Sequence, residues 1–77
     1  MEFEKLKEII ADVLNIDPDT ITLESQFVAD LAADSLDIFQ IIIGVEDAFE
    51  ITINDSDAEN IVTVGDALEE IKKAING

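Results

Sequence analysis

Apolar residues recur every three or four positions over three stretches of this chain, and each stretch predicts a helix with one buried face. In the first, Phe3, Leu6, Ile9, Ile10, Val13 and Leu14 share a face from about residue 3 to 14, and Asn15 ends it. In the second, Ile38, Ile41, Ile42, Val45 and Phe49 form a complete inward stripe. That helix opens at Asp34 or Ser35 and closes near Phe49. Asp34 suits the N-cap, and Asp37 places negative charge in the first turn, where the helix dipole favours it. In the third, Val64, Ala67, Leu68, Ile71, Ala74 and Ile75 form the buried stripe. It opens at Thr63, with Asp66 three residues on at capping-box spacing. Lys72 and Lys73 fall in its last turns and Asn76-Gly77 ends it.

The remainder lacks this period. Residues 16–33 form a long connector, with Asp17-Pro18 marking one short turn. Ile21, Leu23, Phe27, Val28 and Leu31 are too apolar for a free linker and are expected to pin it across the core. Ile51-Thr52-Ile53 alternates briefly without a strand partner and is expected to pack as an extended loop. Asp55 is expected to cap a short helix through about Ile61. The pattern gives an all-α fold: a small bundle of three main helices plus a short extra helix, with a long connector between the first two. The 77 residues make a single domain, 1–77. Its hydrophobic fraction of 48% supports a core and argues against disorder.

The second helix carries more apolar surface than one core needs. Leu36, Phe39 and Ile43 form a second line, rotated away from the inward stripe and rimmed by Asp37, Gln40, Glu46 and Asp47. An apolar strip with a polar, acidic rim reads as a docking surface for a protein partner.

Charge points the same way. Nineteen acids face four basic residues, all lysines, for a net charge of −15. Those lysines, Lys5, Lys7, Lys72 and Lys73, sit only near the ends. Such a field repels nucleic acid and anionic membranes, attracts basic protein surfaces and favours a monomer. The longest purely aliphatic run is Ile41-Ile42-Ile43, too short for membrane insertion. Met1 to Lys5 carries acids and runs directly into the first helical pattern, so a cytoplasmic protein without a signal segment is expected.

The chain has no His, Cys, Tyr, Trp or Arg. A serine without a candidate base is a poor nucleophile in its own active site. Ser35, in Asp34-Ser35-Leu36-Asp37, therefore reads as a residue another enzyme modifies, and this chain as no enzyme. Ser25 and Ser56 lack that context.

Phe27-Val28-Ala29-Asp30-Leu31-Ala32-Ala33-Asp34-Ser35-Leu36-Asp37, followed by Glu46 and Phe49, resembles the acyl carrier proteins of type II fatty acid synthesis. The resemblance spans essentially the whole chain. It implies that Ser35 carries 4′-phosphopantetheine through a phosphodiester, installed from coenzyme A by a phosphopantetheinyl transferase. The terminal thiol would hold acyl intermediates as thioesters, and the bundle core would open to shelter the chain. Asp34 and Leu36 would flank the attachment point. Asp37, Phe39, Gln40, Ile43, Glu46 and Asp47 would meet basic-faced enzymes of acyl chain synthesis and transfer. Four positions depart from the family pattern: Ala32 stands where Gly is common, Gln40 where Glu is, Ile43 where Met is, and Phe39 where a small aliphatic is. These departures leave open a specialised polyketide or other secondary acyl pathway.

Two rivals come from other classes. A calcium loop is suggested by Asp55-x-Asp57-x-Glu59, with Asp66 twelfth from Asp55. The turn glycine is missing, with Asn60 and Ile61 in that region, and Asp66 is short for a bidentate ligand. No metal site is expected. An acidic binding module or inhibitor without a prosthetic group would explain the charge, but not an apolar strip that begins beside Ser35.

Overall fold

The computed structural model describes residues 2–76, so Gly77 as the last helix's terminator lies outside the described residues. Four α-helices follow in chain order: α1 Glu2–Leu14, α2 Ser35–Phe49, α3 Asp55–Glu59 and α4 Val64–Asn76. A 3-10 turn at Pro18–Thr20 interrupts the connector after α1. No strand forms among the described residues, where Gln26 and Thr63 make an isolated antiparallel bridge.

Local chemistry sets the boundaries. Asn15 stops α1 in the left-handed region at φ 58°, and the Ile16 amide donates back to the Ala11 carbonyl at 3.1 Å. The Asp17 carboxylate accepts from the Asp19 amide at 2.9 Å, capping the turn that Pro18 opens. Glu50 ends α2 in the left-handed region at φ 55°. The short helix begins at Asp55 itself, with Asn54 at its cap position and no side-chain cap bond. It stops at Glu59, short of Ile61. Asp55, Asp57 and Glu59 thus lie on a helix, where alternating residues diverge instead of converging as in a calcium loop.

The start of α4 is a capping box. The Asp66 amide donates to Thr63 Oγ1 at 3.1 Å, and Asp66 Oδ2 accepts from the Thr63 amide at 3.1 Å and the Val62 amide at 3.0 Å. These bonds, Thr63 first and then Val62, hold the Asp66 carboxyl below its ordinary value against a smaller opposing effect of desolvation. A depressed carboxyl contributes stability above its unfolded pKa and loses it as pH falls through the folded one. Wild type should therefore lose stability more steeply than Asp66→Asn below the ordinary value of 3.8. Urea unfolding at a series of acidic pH values measures this.

Leu6, Ile10, Ile41, Val45, Val64 and Ile71 are buried at the centre, joined by Ile21 and Phe27 from the connector. α1 packs chiefly on α2. Gly44 permits that closeness, since a Cβ there would lie 3.0 Å from Ile9 Cγ2.

Two groups of expected core residues lie outside. Leu23 and Val28 are exposed, while Ile21 and Phe27 are buried and Leu31 half-buried. The cause is how the connector is held. It is stitched by backbone bonds from Gly65 to Leu23, Val64 to Ser25 and Phe27 to Val62, at 2.9, 2.9 and 3.0 Å. It then folds into a turn in which the Asp30 and Leu31 amides both donate to the Gln26 carbonyl. Backbone bonding fixes this ribbon without Leu23 or Val28 side chains, which face out. In α4, Ala74 and Ile75 are exposed and Ile71 is the last buried residue, because the helix extends past the core it packs on.

Candidate functional site

Ser35 is the first residue of α2 and is exposed. Asp34 caps the helix: its Oδ1 accepts from the Asp37 amide at 2.9 Å, and Asp37 Oδ2 accepts from the Asp34 amide at 3.3 Å. The two acids on either side of the serine are thereby turned onto backbone donors. Among the described residues, the Ser35 hydroxyl and the Ser35 and Leu36 amides make no hydrogen bond. A free hydroxyl therefore sits beside two free N–H groups at the positive end of a fifteen-residue helix. That environment accommodates a phosphodiester, so the residues present fit a phosphopantetheine group.

The other serines differ. Ser25 is half-buried in the connector, its hydroxyl accepting from the Thr22 amide at 3.1 Å. Ser56 is exposed on α3, a five-residue helix.

The approach to Ser35 is tightly turned. The Gln26 amide donates to Asp30 Oδ2 at 2.8 Å, and the Ala33 amide to the Phe27 carbonyl at 2.8 Å. Between them Ala32 adopts φ 57°, a conformation that Gly enters without a Cβ clash. Ala32→Gly should relieve this strain, less the chain entropy a glycine adds to the unfolded state. The expected net gain is about 0.5–1 kcal/mol, or roughly 3–6 °C in Tm, read by thermal unfolding.

The second apolar line of α2 is open to solvent: Leu36 is 63% exposed, Phe39 57% and Ile43 49%. Gln40 and Asp47 are exposed on the same side. Asp37 and Glu46 are half-buried and have local partners. Asp37 closes the capping box, and Glu46 Oε2 accepts from the Ile53 amide at 2.8 Å. The spacing of Asp34 and Asp37 carried the first signal. Nothing in the sequence marked the second, which depends on how the 51–54 segment folds back on α2.

On the opposite side of α2, Phe27, Ile41, Val45, Ile61 and Ala67 line a small apolar cavity, with Ile38, Ile42 and Ile53 half-buried around it. Its volume is about 10 Å³, space for no more than one water-sized sphere. Among the described residues no cluster of three or more acids is placed to hold a metal ion, and no helix is long and apolar enough to cross a membrane.

The structure places an exposed serine at the start of the second of four helices, and comparison with known proteins gives the family. Residues 4–71 match the family model described as the phosphopantetheine attachment site. An acyl carrier protein of Clostridium perfringens (strain SM101 / Type A) is 55% identical over 69 residues, covering 90% of this chain and 91% of that protein. One from Clostridium acetobutylicum is 50% identical over 72 residues, covering 94% of each. A solved structure of a candidate acyl carrier protein from Mycobacterium tuberculosis superposes with a TM-score of 0.91 at 38% identity, covering 95% of this chain and 97% of that one. The chain belongs to the acyl carrier protein family, and its prosthetic group is a covalently attached 4′-phosphopantetheine.

Proposed function

We propose that Ser35 is the attachment residue and that the chain delivers acyl intermediates between enzymes of fatty acid biosynthesis. The observation that carries this reading is the unengaged Ser35 hydroxyl at the start of α2, within Asp34-Ser35-Leu36. When bound, the prosthetic group supplies a terminal thiol that holds the acyl chain as a thioester. The protein's own residues present, orient and shelter. Asp34 and Asp37 fix the first turn of α2 and leave the Ser35 and Leu36 amides free to receive phosphate oxygens. The all-apolar lining beneath Ile38, Ile42 and Ile53 suits a hydrocarbon chain, which enters only once this closed cavity of about 10 Å³ opens. No residue here need act as acid, base or nucleophile toward the cargo, so the chain is a carrier and not an enzyme. The domain is the whole of residues 1–77, working in the cytoplasm.

Leu36, Phe39 and Ile43, rimmed by Asp37, Gln40, Glu46 and Asp47, form the face that meets the phosphopantetheinyl transferase and the basic-faced enzymes of acyl chain synthesis. Phe39 and Gln40 favour a second reading, a carrier dedicated to a specialised acyl pathway. They give this face an exposed aromatic ring and one carboxylate fewer than the family pattern.

Intact mass before and after incubation with coenzyme A and a broad-specificity transferase tests the reading. A single phosphopantetheine increment supports a carrier. No increment on a chain that starts unmodified supports an acidic binding module instead. The acyl groups found on protein from its native cell would then separate the two pathways.

Asp47 gives the cleaner test of the face, because its carboxylate makes no hydrogen bond among the described residues. Asp47→Lys should weaken transferase binding about tenfold at low salt and flatten its salt dependence, with Tm unchanged. Equal affinity and salt slope would remove this edge of α2 from the interface.

A further inference from the structure

Resting on the carrier reading, we infer that Glu46 is the latch on the apolar cavity. The cavity, at about 10 Å³, has no room for a hydrocarbon chain, so a wall must move before one enters. Phe27, Ile41, Val45, Ile61 and Ala67 belong to the buried core. Ile38 and Ile42 are half-buried but fixed on α2, whereas half-buried Ile53 lies in the 51–54 segment, which has no helix or strand of its own. Glu46 holds that segment at two points. Its carbonyl accepts from the Ile51 amide at 3.1 Å and its carboxylate from the Ile53 amide at 2.8 Å. The second is a charge-assisted bond made directly at the residue that lines the cavity. Glu46 is also half-buried one turn from Ile42, on the cavity side of the exposed strip.

Releasing the Glu46 carboxylate frees the Ile53 amide and lets its side chain swing off the cavity without disturbing the packing of α1, α2 and α4. Glu46 is thus a positioning residue for the cargo, acting through Ile53, and no charge on the cavity lining is involved.

The test uses the unmodified full chain and compares wild type with Glu46→Ala, Glu46→Gln and Asp47→Ala. Amide hydrogen exchange at Ile53 should accelerate at least about tenfold in Glu46→Ala, the worth of one charge-assisted bond. Amides of Ile41 and Val45 should keep their rates, which excludes general unfolding. Glu46→Gln retains an acceptor and should lie between. Asp47→Ala removes the same charge one residue away and should match wild type. Uptake of a neutral apolar dye, Nile red, should rise in the same order. An Ile53 rate unchanged in Glu46→Ala overturns the latch. So does faster exchange without greater dye uptake, since the freed segment would then not guard the cavity. Loading the variants with a decanoyl thioester adds a second readout: thiol release by hydroxylamine should be faster in Glu46→Ala. A chain that never accepts the prosthetic group refutes the carrier reading, while exchange and dye uptake still decide the latch.

Discussion

Ser35→Ala will keep its unmodified mass under conditions that load wild type completely. The effect is all-or-none because the substitution deletes the atom that would form the phosphodiester. It should leave the fold intact. The Ser35 hydroxyl makes no hydrogen bond among the described residues, the cap belongs to Asp34, and Ala is the best helix former. Far-ultraviolet circular dichroism and Tm should match wild type, so a lost increment cannot be blamed on unfolding. Ser25 is a poor substitute on physical grounds: its hydroxyl is engaged with Thr22 in a half-buried connector. Ser56 is exposed but sits on a helix of five residues, without the capped first turn of a long helix behind it. An increment retained in Ser35→Ala and mapped to either serine would overturn the assignment.

The elements most legible in the sequence are those fixed by nearby residues. The inward stripe of α2, the exposed line of Leu36, Phe39 and Ile43, and the capping box of α4 all follow from spacings within one to four turns. The stop at Asn15 and the short turn at Pro18 are equally local. What depends on distant backbone was not legible. Leu23 and Val28 carry the same apolar signal as Ile21 and Phe27, yet only the pairing of the connector with residues 62–65 decides which of them face inward. The role of Glu46 requires Ile53 to return to α2 seven residues on, and no spacing rule marks it. At Ala32 the departure from Gly was visible, whereas the left-handed backbone that makes it costly was not.

Phe27→Ala is expected to bring the protein close to unfolding in low salt, while the neighbouring Val28→Ala changes stability by less than about 0.5 kcal/mol. Phe27 is 2% exposed and Val28 68%. Truncating a buried Phe costs about 3–5 kcal/mol through lost transfer energy and the cavity left behind. A chain of this length has a total stability of only about 4–12 kcal/mol. Self-repulsion at a net charge of −15 lowers that further. Salt or Mg²⁺ should therefore restore much of the fold in Phe27→Ala by screening the carboxylates. Phe27 also fixes the route to Ser35: its amide donates to Val62 and its carbonyl accepts from Ala33, two residues before the serine. In restoring salt, Phe27→Ala should still be loaded more slowly than Val28→Ala, because the ring that seats these backbone bonds against the core is gone and buried Ala33 alone holds the approach. Urea unfolding with and without Mg²⁺, followed by loading rates at matched folded fraction, separates the two effects. Equal stability losses in the two variants would mean the connector is held by its backbone pairing alone. Equal loading rates at matched folded fraction would mean that the capping box positions Ser35 without help from the core.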